Sequence, residues 1–148
     1  MLLAGDRLDT ISPQRRSENM RMIKSRDTSP EMTVRRLVHG MGFRYRLHHP
    51  GLPGKPDLVF PRLGSVIDVR GCFWHQHRGC IDSHIPRSRS DYWKPKLLGN
   101  KRRDSKNAKL LRAAGWRLLI VWACQTEGTK RIELLANRLR KFLEAPRD

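Results

Sequence analysis

The chain has 148 residues, with 31 Lys+Arg against 14 Asp+Glu, which gives a formal net charge of +17 and a pI near 11.2. That length fits one domain with a terminal arm, large enough to bury a core without disulfides. The charge points to a polyanion, with nucleic acid ahead of anionic membrane. No window approaches the ~20 apolar residues of a membrane span. Met1–Ile11 shows no basic leader followed by an apolar run, so no secretory signal is expected. The 3 cysteines are an odd number for a disulfide framework and favour a reducing, cytoplasmic setting.

Met1–Ser12 lacks periodicity, and residues 1–14 are expected to form a mobile N-terminal arm before a single domain over 15–148. Arg15–Lys24 reads as a short basic helix, with Met20 and Ile23 on one side. Ser29-Pro30-Glu31 is a helix start, with Ser as cap, Pro at the first helical position and Glu in the first turn. Val34, Leu37, Val38 and Met41 then form one apolar stripe, and Gly42 is placed to end the helix. Phe43–Leu47 alternates like a strand, and His49–Pro56 is an irregular Pro/Gly loop. Asp57–Phe60 and Ser65–Arg70 read as a hairpin closed at Pro61–Gly64. Gly71–Trp93 is a loop dense in His, Cys, aromatics and Arg. A basic helix is expected over Lys96–Ala114, ended by Gly115. The apolar run Trp116–Trp122 suits a strand buried on both faces. A last helix over Lys130–Leu143 carries Ile132, Leu135, Ala136, Leu139 and Phe142 on one face. This order predicts an α/β fold with helices on a central mixed sheet.

Two carboxylates stand in the apolar hairpin. Asp57 opens one strand and Asp68 lies near the end of the next, where the two can come level. Arg70, two residues after Asp68, projects from the same face. Two carboxylates and a cation at one sheet edge suit phosphodiester hydrolysis, with a divalent ion such as Mg²⁺ activating water. The pattern resembles the PD-(D/E)xK nuclease motif with Arg in place of Lys. Cys72, His77, Cys80 and Cys124 form a second group, which suits a closed structural Zn²⁺ site. His75, His77 and His84 all qualify as its histidine. His77 is favoured because His75 lies closer to the carboxylate edge.

The blocks Leu52-Pro53-Gly54-Lys55-Pro56-Asp57, Gly71-Cys72-Phe73-Trp74-His75 and Gly115–Cys124 resemble the very short patch repair (Vsr) DNA mismatch endonuclease family. Asn19–Ile23 and Arg26-Asp27-Thr28 resemble it too, so the likeness runs from about residue 15 to residue 143. The resemblance implies a restriction-endonuclease-like fold, a structural zinc, and a Mg²⁺-dependent nick 5′ to the T of a T·G mismatch left by 5-methylcytosine deamination. It implies Asp57 as metal ligand, the Val69 backbone carbonyl as another, and His75 as the catalytic histidine. Glu31 would hold metal-bound water. Cys72, His77, Cys80 and Cys124 match the zinc set, with one extra residue between His77 and Cys80. Phe73, Trp74 and Trp93 match aromatics that wedge into the mismatch, and Met20 and Ile23 match apolar residues entering from the minor groove. A weakly stacked wobble pair is the cheaper one to open, and aromatic faces replace the lost stacking.

Asp68 and Arg70 depart from the family, whose counterparts are usually apolar and His or Asp. Here they suggest that Asp68 joins Asp57 as a Mg²⁺ ligand and that Arg70 stabilises charge on the phosphate. The implied setting is a monomer acting on mismatched double-stranded DNA in the cytoplasm, with no membrane, and with mismatch-repair proteins and a DNA polymerase downstream.

Overall fold

The computed structural model describes residues 27–146. The expected arm, the helix over 15–24, Met20 and Ile23 lie outside the described residues. In chain order come α1 (Ser29–Gly40), β1 (Arg46–Leu47), β2 (Leu58–Phe60), β3 (Ser65–Arg70), α2 (Ser90–Ala113), β4 (Arg117–Trp122) and α3 (Thr129–Glu144). The sheet order is β1-β2-β3-β4, antiparallel up to β3 and parallel between β3 and β4, so the expected mixed sheet between helices is present. The parallel pair needs a crossover, and α2 provides it.

Thr28, one residue before the expected Ser29, caps α1. Its hydroxyl accepts from the Glu31 N–H at 3.3 Å. Val34 and Val38 of α1 are fully buried, with Leu37 and Met41 packed around them. Of the expected strand Phe43–Leu47 only Arg46 and Leu47 pair with β2. The chain leaves α1 through Gly42, at φ +95°, and Phe43 and Tyr45 pack on the core.

Strand pleating sorts the core into two layers. Leu58, Phe60, Ile67 and Val121 meet Val34 and Val38 of α1 and Leu135, Leu139 and Leu143 of α3. Val59 and Val66 face the other way and meet Leu111 of α2. Burying each such side chain contributes about 1.5–3 kcal/mol. The stripe expected for α3 is therefore the one used, with Leu143 added. β4 departs from expectation. It is the outer strand of the described sheet, and Val121 alone among its residues is fully buried.

α2 starts at Ser90, six residues before the expected Lys96. Pro95, a local stop signal, lies inside the helix. The first turn is held by Trp93, which is 2% exposed and packs with Phe73 and Leu97. That tertiary anchor outweighs the hydrogen bond that proline removes. Trp93 thus belongs to a helix rather than to the loop over Gly71–Trp93.

Candidate active site

The strand registers build the carboxylate edge. Leu58 pairs with Ile67, so one step further along the ladder sets Asp57 opposite Asp68. Leu47 pairs with Leu58, and the same step sets His48 opposite Asp57, whose carbonyl accepts from the His48 N–H at 3.1 Å. His48, Asp57 and Asp68 therefore form one row across three strands. Asp57 is 9% exposed, and its Oδ2 accepts from the Val69 N–H at 2.6 Å. Burial, the charge of Asp68 and, more weakly, that of Glu31 push the Asp57 carboxyl up to about 9 against the pull of that N–H. Glu31, 2% exposed in the first turn of α1, comes to the same edge. It accepts from the Asp27 N–H at 3.2 Å, pairs with Arg35, and lies 3.0 Å from His48 Nε2. Arg35 also pairs with Asp27.

Arg70 donates from Nε to Asp68 Oδ2 at 3.0 Å, with the two side chains 11% and 26% exposed. The Arg70 guanidinium also lies 5.9 Å from the centre of the Trp122 ring, on the paired strand β4. The expected shared face of Asp68 and Arg70 is thus present as a mostly buried ion pair. Pro53, Gly54 and Pro56 close the site against Asp104 and Asn107 of α2. Gly54 sits there at φ +74°, and a Cβ would come within 3.0 Å of the Asn107 amide, so both conformation and space call for glycine.

The segment after β3 is locked by its own backbone and by α2. His75 N–H donates to Gly71 O at 3.1 Å and His77 N–H to Cys72 O at 2.8 Å. Gln76 reaches the carbonyls of Phe73 and Ser83 at 2.7 and 3.1 Å. Asn100 of α2 donates to Trp74 O at 3.0 Å, and Asp104 of α2 lies 2.6 Å, Oδ2 to Nδ1, from His75. With Asp104 accepting, Nδ1 carries the proton and Nε2 keeps its lone pair. Asp104 and His48 were both missed in the sequence. Asp104 is the sole acidic residue of Lys96–Ala114 and falls on the helical stripe of Trp93 and Leu97. His48 could have been found by running the β1 ladder one residue past Leu47.

Cys72, His77, Cys80 and Cys124 converge, with one ligand atom of each within 4.8 Å of all the others. His77 Nδ1 lies 3.6 Å from Cys72 Sγ and 3.5 Å from Cys124 Sγ. A tetrahedral ion with S at about 2.3 Å and N at about 2.0 Å has S–N edges of roughly 3.6 Å. The donor set and its spacing therefore fit a closed metal site, and His77 is the histidine in it. His75 is engaged by Asp104, and His84 is exposed. Burial, with the neighbouring thiols, pushes Cys72 up to about 12 and raises Cys124, as expected where thiols crowd without a cation. Trp122 stacks on the His77 ring at 4.2 Å and 11°.

The three expected wedge aromatics form a T-shaped cluster, with ring centres 5.2 to 5.8 Å apart. Phe73 and Trp93 are 4% and 2% exposed, whereas Trp74 is half-buried and has Lys96 over its ring at 5.7 Å. As the structure stands, Trp74 is the member with a free surface and the other two buttress it.

A carboxylate row, with the histidine-holding Asp104 lining one cavity with Asp68 and Arg70, fits a nuclease-type site on a mixed sheet in a strongly basic chain. The model of the family described as DNA mismatch endonuclease Vsr matches residues 8–81. A type II nicking enzyme, V.XorIIP, of Xanthomonas oryzae pv. oryzae is 45% identical over 136 residues, covering 92% of this chain and 97% of that protein. The DNA mismatch endonuclease Vsr of Escherichia coli K12 is 38% identical over 130 residues, 86% of this chain and 83% of that one. A type II nicking enzyme, V.NmeAIP, of Neisseria meningitidis is 37% identical over 131 residues, 88% and 93% of the two chains. The chain belongs to the Vsr DNA mismatch endonuclease family and is a DNA endonuclease, a hydrolase. No helix among the described residues is long and apolar enough to cross a membrane.

Proposed function

We propose that the enzyme nicks one strand of duplex DNA on the 5′ side of the T in a T·G mismatch, with Mg²⁺ at the carboxylate row. The observation that carries the reading is that row itself: Asp57 and Asp68 face each other across the hairpin, and Asp104, which holds His75, lines one cavity with Asp68. A carboxyl pushed up to about 9 by burial and like charge is a site that gains from a bound cation. Asp57, Asp68 and the Val69 carbonyl would hold Mg²⁺, which supplies charge neutralisation and a more acidic water. His75 passes a proton through Nε2 while Asp104 keeps the ring in one orientation. Arg70 meets charge on the phosphate, and Glu31 orients outer water. Cys72, His77, Cys80 and Cys124 would hold a structural Zn²⁺. Trp74, supported by Phe73 and Trp93, stacks at the opened mismatch, with Met20 and Ile23 entering from the other groove. The nicking relatives support cleavage of one strand. The protein works as a monomer on DNA in the cytoplasm, with mismatch-repair proteins and a DNA polymerase completing the repair.

The test is a panel of labelled duplexes differing at one base pair, incubated with Mg²⁺. Nicking of the T·G duplex alone supports the reading. Cleavage of the perfectly paired duplex would favour a restriction-type enzyme, and binding without cleavage a zinc DNA-binding module. Within the same panel Trp74→Ala is expected to narrow the gap between T·G and paired duplexes by about five-fold or more, since base–aromatic stacking is worth roughly 1–3 kcal/mol. Equal loss on both substrates would show that Trp74 only packs. Asp104→Asn is expected to lower the maximal nicking rate at least ~10-fold, because an amide can stabilise the wrong tautomer of His75. Its pH profile, measured at saturating Mg²⁺, should change shape; an unaltered profile would detach Asp104 from His75's role.

A further inference from the structure

His48 is bound into the active-site row by its backbone and reaches both carboxylates with its side chain. Its N–H continues the β1–β2 ladder onto Asp57 O at 3.1 Å. Its φ is +46°, a left-handed conformation that a residue with a Cβ adopts at a cost of about 1–2 kcal/mol. The imidazole Nε2 lies 3.0 Å from Glu31 Oε2 and 3.7 Å from Asp57 Oδ1. Nε2 is buried, yet it makes no aligned hydrogen bond to either oxygen. The two acids have further contacts: Glu31 with Arg35 and the Asp27 N–H, Asp57 with Asp68 and, through Oδ2, with the Val69 N–H.

We propose that His48 is a positioning residue of the nuclease site: its Nε2, between Glu31 and Asp57, sets the gap between them so that Asp57 Oδ1 is presented to the divalent cation. This role rests on the Mg²⁺ reading given above. Two buried carboxylates at one edge repel each other, and a polar N–H between them reduces that repulsion without neutralising either. Backbone strain in a residue that a carbonyl contact holds in place is where a site stores its pre-organisation.

The test compares full-length wild type with His48→Asn and His48→Gln. Asn tolerates the left-handed backbone, which protects folding, but its amide is too short to reach both acids. Gln restores an N–H at roughly the distance of the imidazole Nε2. Mn²⁺ binding to the protein without DNA is measured by calorimetry, and Mg²⁺ titrations of nicking are run beside it. His48→Asn is expected to weaken Mn²⁺ binding by about 10-fold or more, the usual size for a group that orients a ligand. The Mg²⁺ concentration for half-maximal nicking should rise in proportion, with the rate at saturating Mg²⁺ changed less than about three-fold. His48→Gln should recover most of the loss. Wild-type Mn²⁺ binding by His48→Asn, or equal losses in Asn and Gln, would overturn the role. Wild-type protein that fails to bind Mn²⁺ would overturn both the role and the metal reading beneath it, so the two failures are told apart.

Discussion

Asp57→Asn is expected to lower nicking by more than about 100-fold, while raising the melting temperature of the metal-free protein near pH 8. A catalytic cation supplies several kcal/mol of charge stabilisation, and each 1.36 kcal/mol is ten-fold in rate. Asn keeps the size of the side chain and still accepts from the Val69 N–H, but it is a poor ligand for a hard cation. The stability change has the opposite sign. The Asp57 carboxyl is raised from the usual 3.8 to about 9 in the metal-free fold, so folding takes up a proton between those two values. The contribution of Asp57 to stability is therefore greatest below about pH 4 and is lost as pH rises toward 9. Asn has no proton to lose, so its melting temperature should stay flatter over that window. Scanning calorimetry of both proteins in chelator from pH 5 to 9, beside nicking in Mg²⁺, checks both signs. A variant still nicking at a tenth of the wild-type rate would remove Asp57 from the metal site, and parallel melting curves would contradict its buried, crowded state.

Cys124→Ser is expected to lower the melting temperature by more than about 10 °C and to bring bound zinc from about one per chain to a small fraction of that. Cys72 and Cys124 lie two residues past the ends of β3 and β4, so an ion shared by them would tie together the ends of the parallel pair. Structural zinc contributes on the order of 10 kcal/mol in small domains, against total stabilities of about 5–15 kcal/mol. This chain keeps its own core, so a ligand change removes part of that amount and leaves a folded, weaker protein. Elemental analysis of purified protein and a thermal melt are the measurements. A metal-free wild type with an unchanged melting point would exclude a structural ion.

What could be read from the chain divides along physical lines. The hairpin was legible because Pro61–Gly64 is local turn chemistry and because pleating carries the register outward to Asp57 and Asp68. The Cys/His set was legible because thiolates and imidazoles have little other reason to gather. The beginning of α2 was not, since Pro95 is a local stop signal overruled by burial of Trp93 against a loop that precedes it. Whether β4 would be central or outer depends on strand order, which its apolar run does not encode. Asp104 and His48 escaped for the same reason: each acquires its meaning from a partner on another element, His75 in one case and Glu31 in the other. The aromatics looked like a surface wedge because they sit among Gly, His and Arg, yet Phe73 and Trp93 are buried by their own stacking with Trp74.

The stacking of His77 on Trp122, with Arg70 beside the same indole, bears on how the enzyme comes into being. During synthesis the carboxylates, His75 and three of the four Cys/His ligands emerge before α2, while Trp122 and Cys124 emerge after it. A nascent chain that stops before α2 already carries a net positive charge. It still lacks Trp122 beside Arg70, Asp104 against His75, and Cys124 of the Cys/His group. Asp104 comes with α2, and Trp122 and Cys124 come only when β4 docks alongside β3, so the candidate site is completed in two late steps.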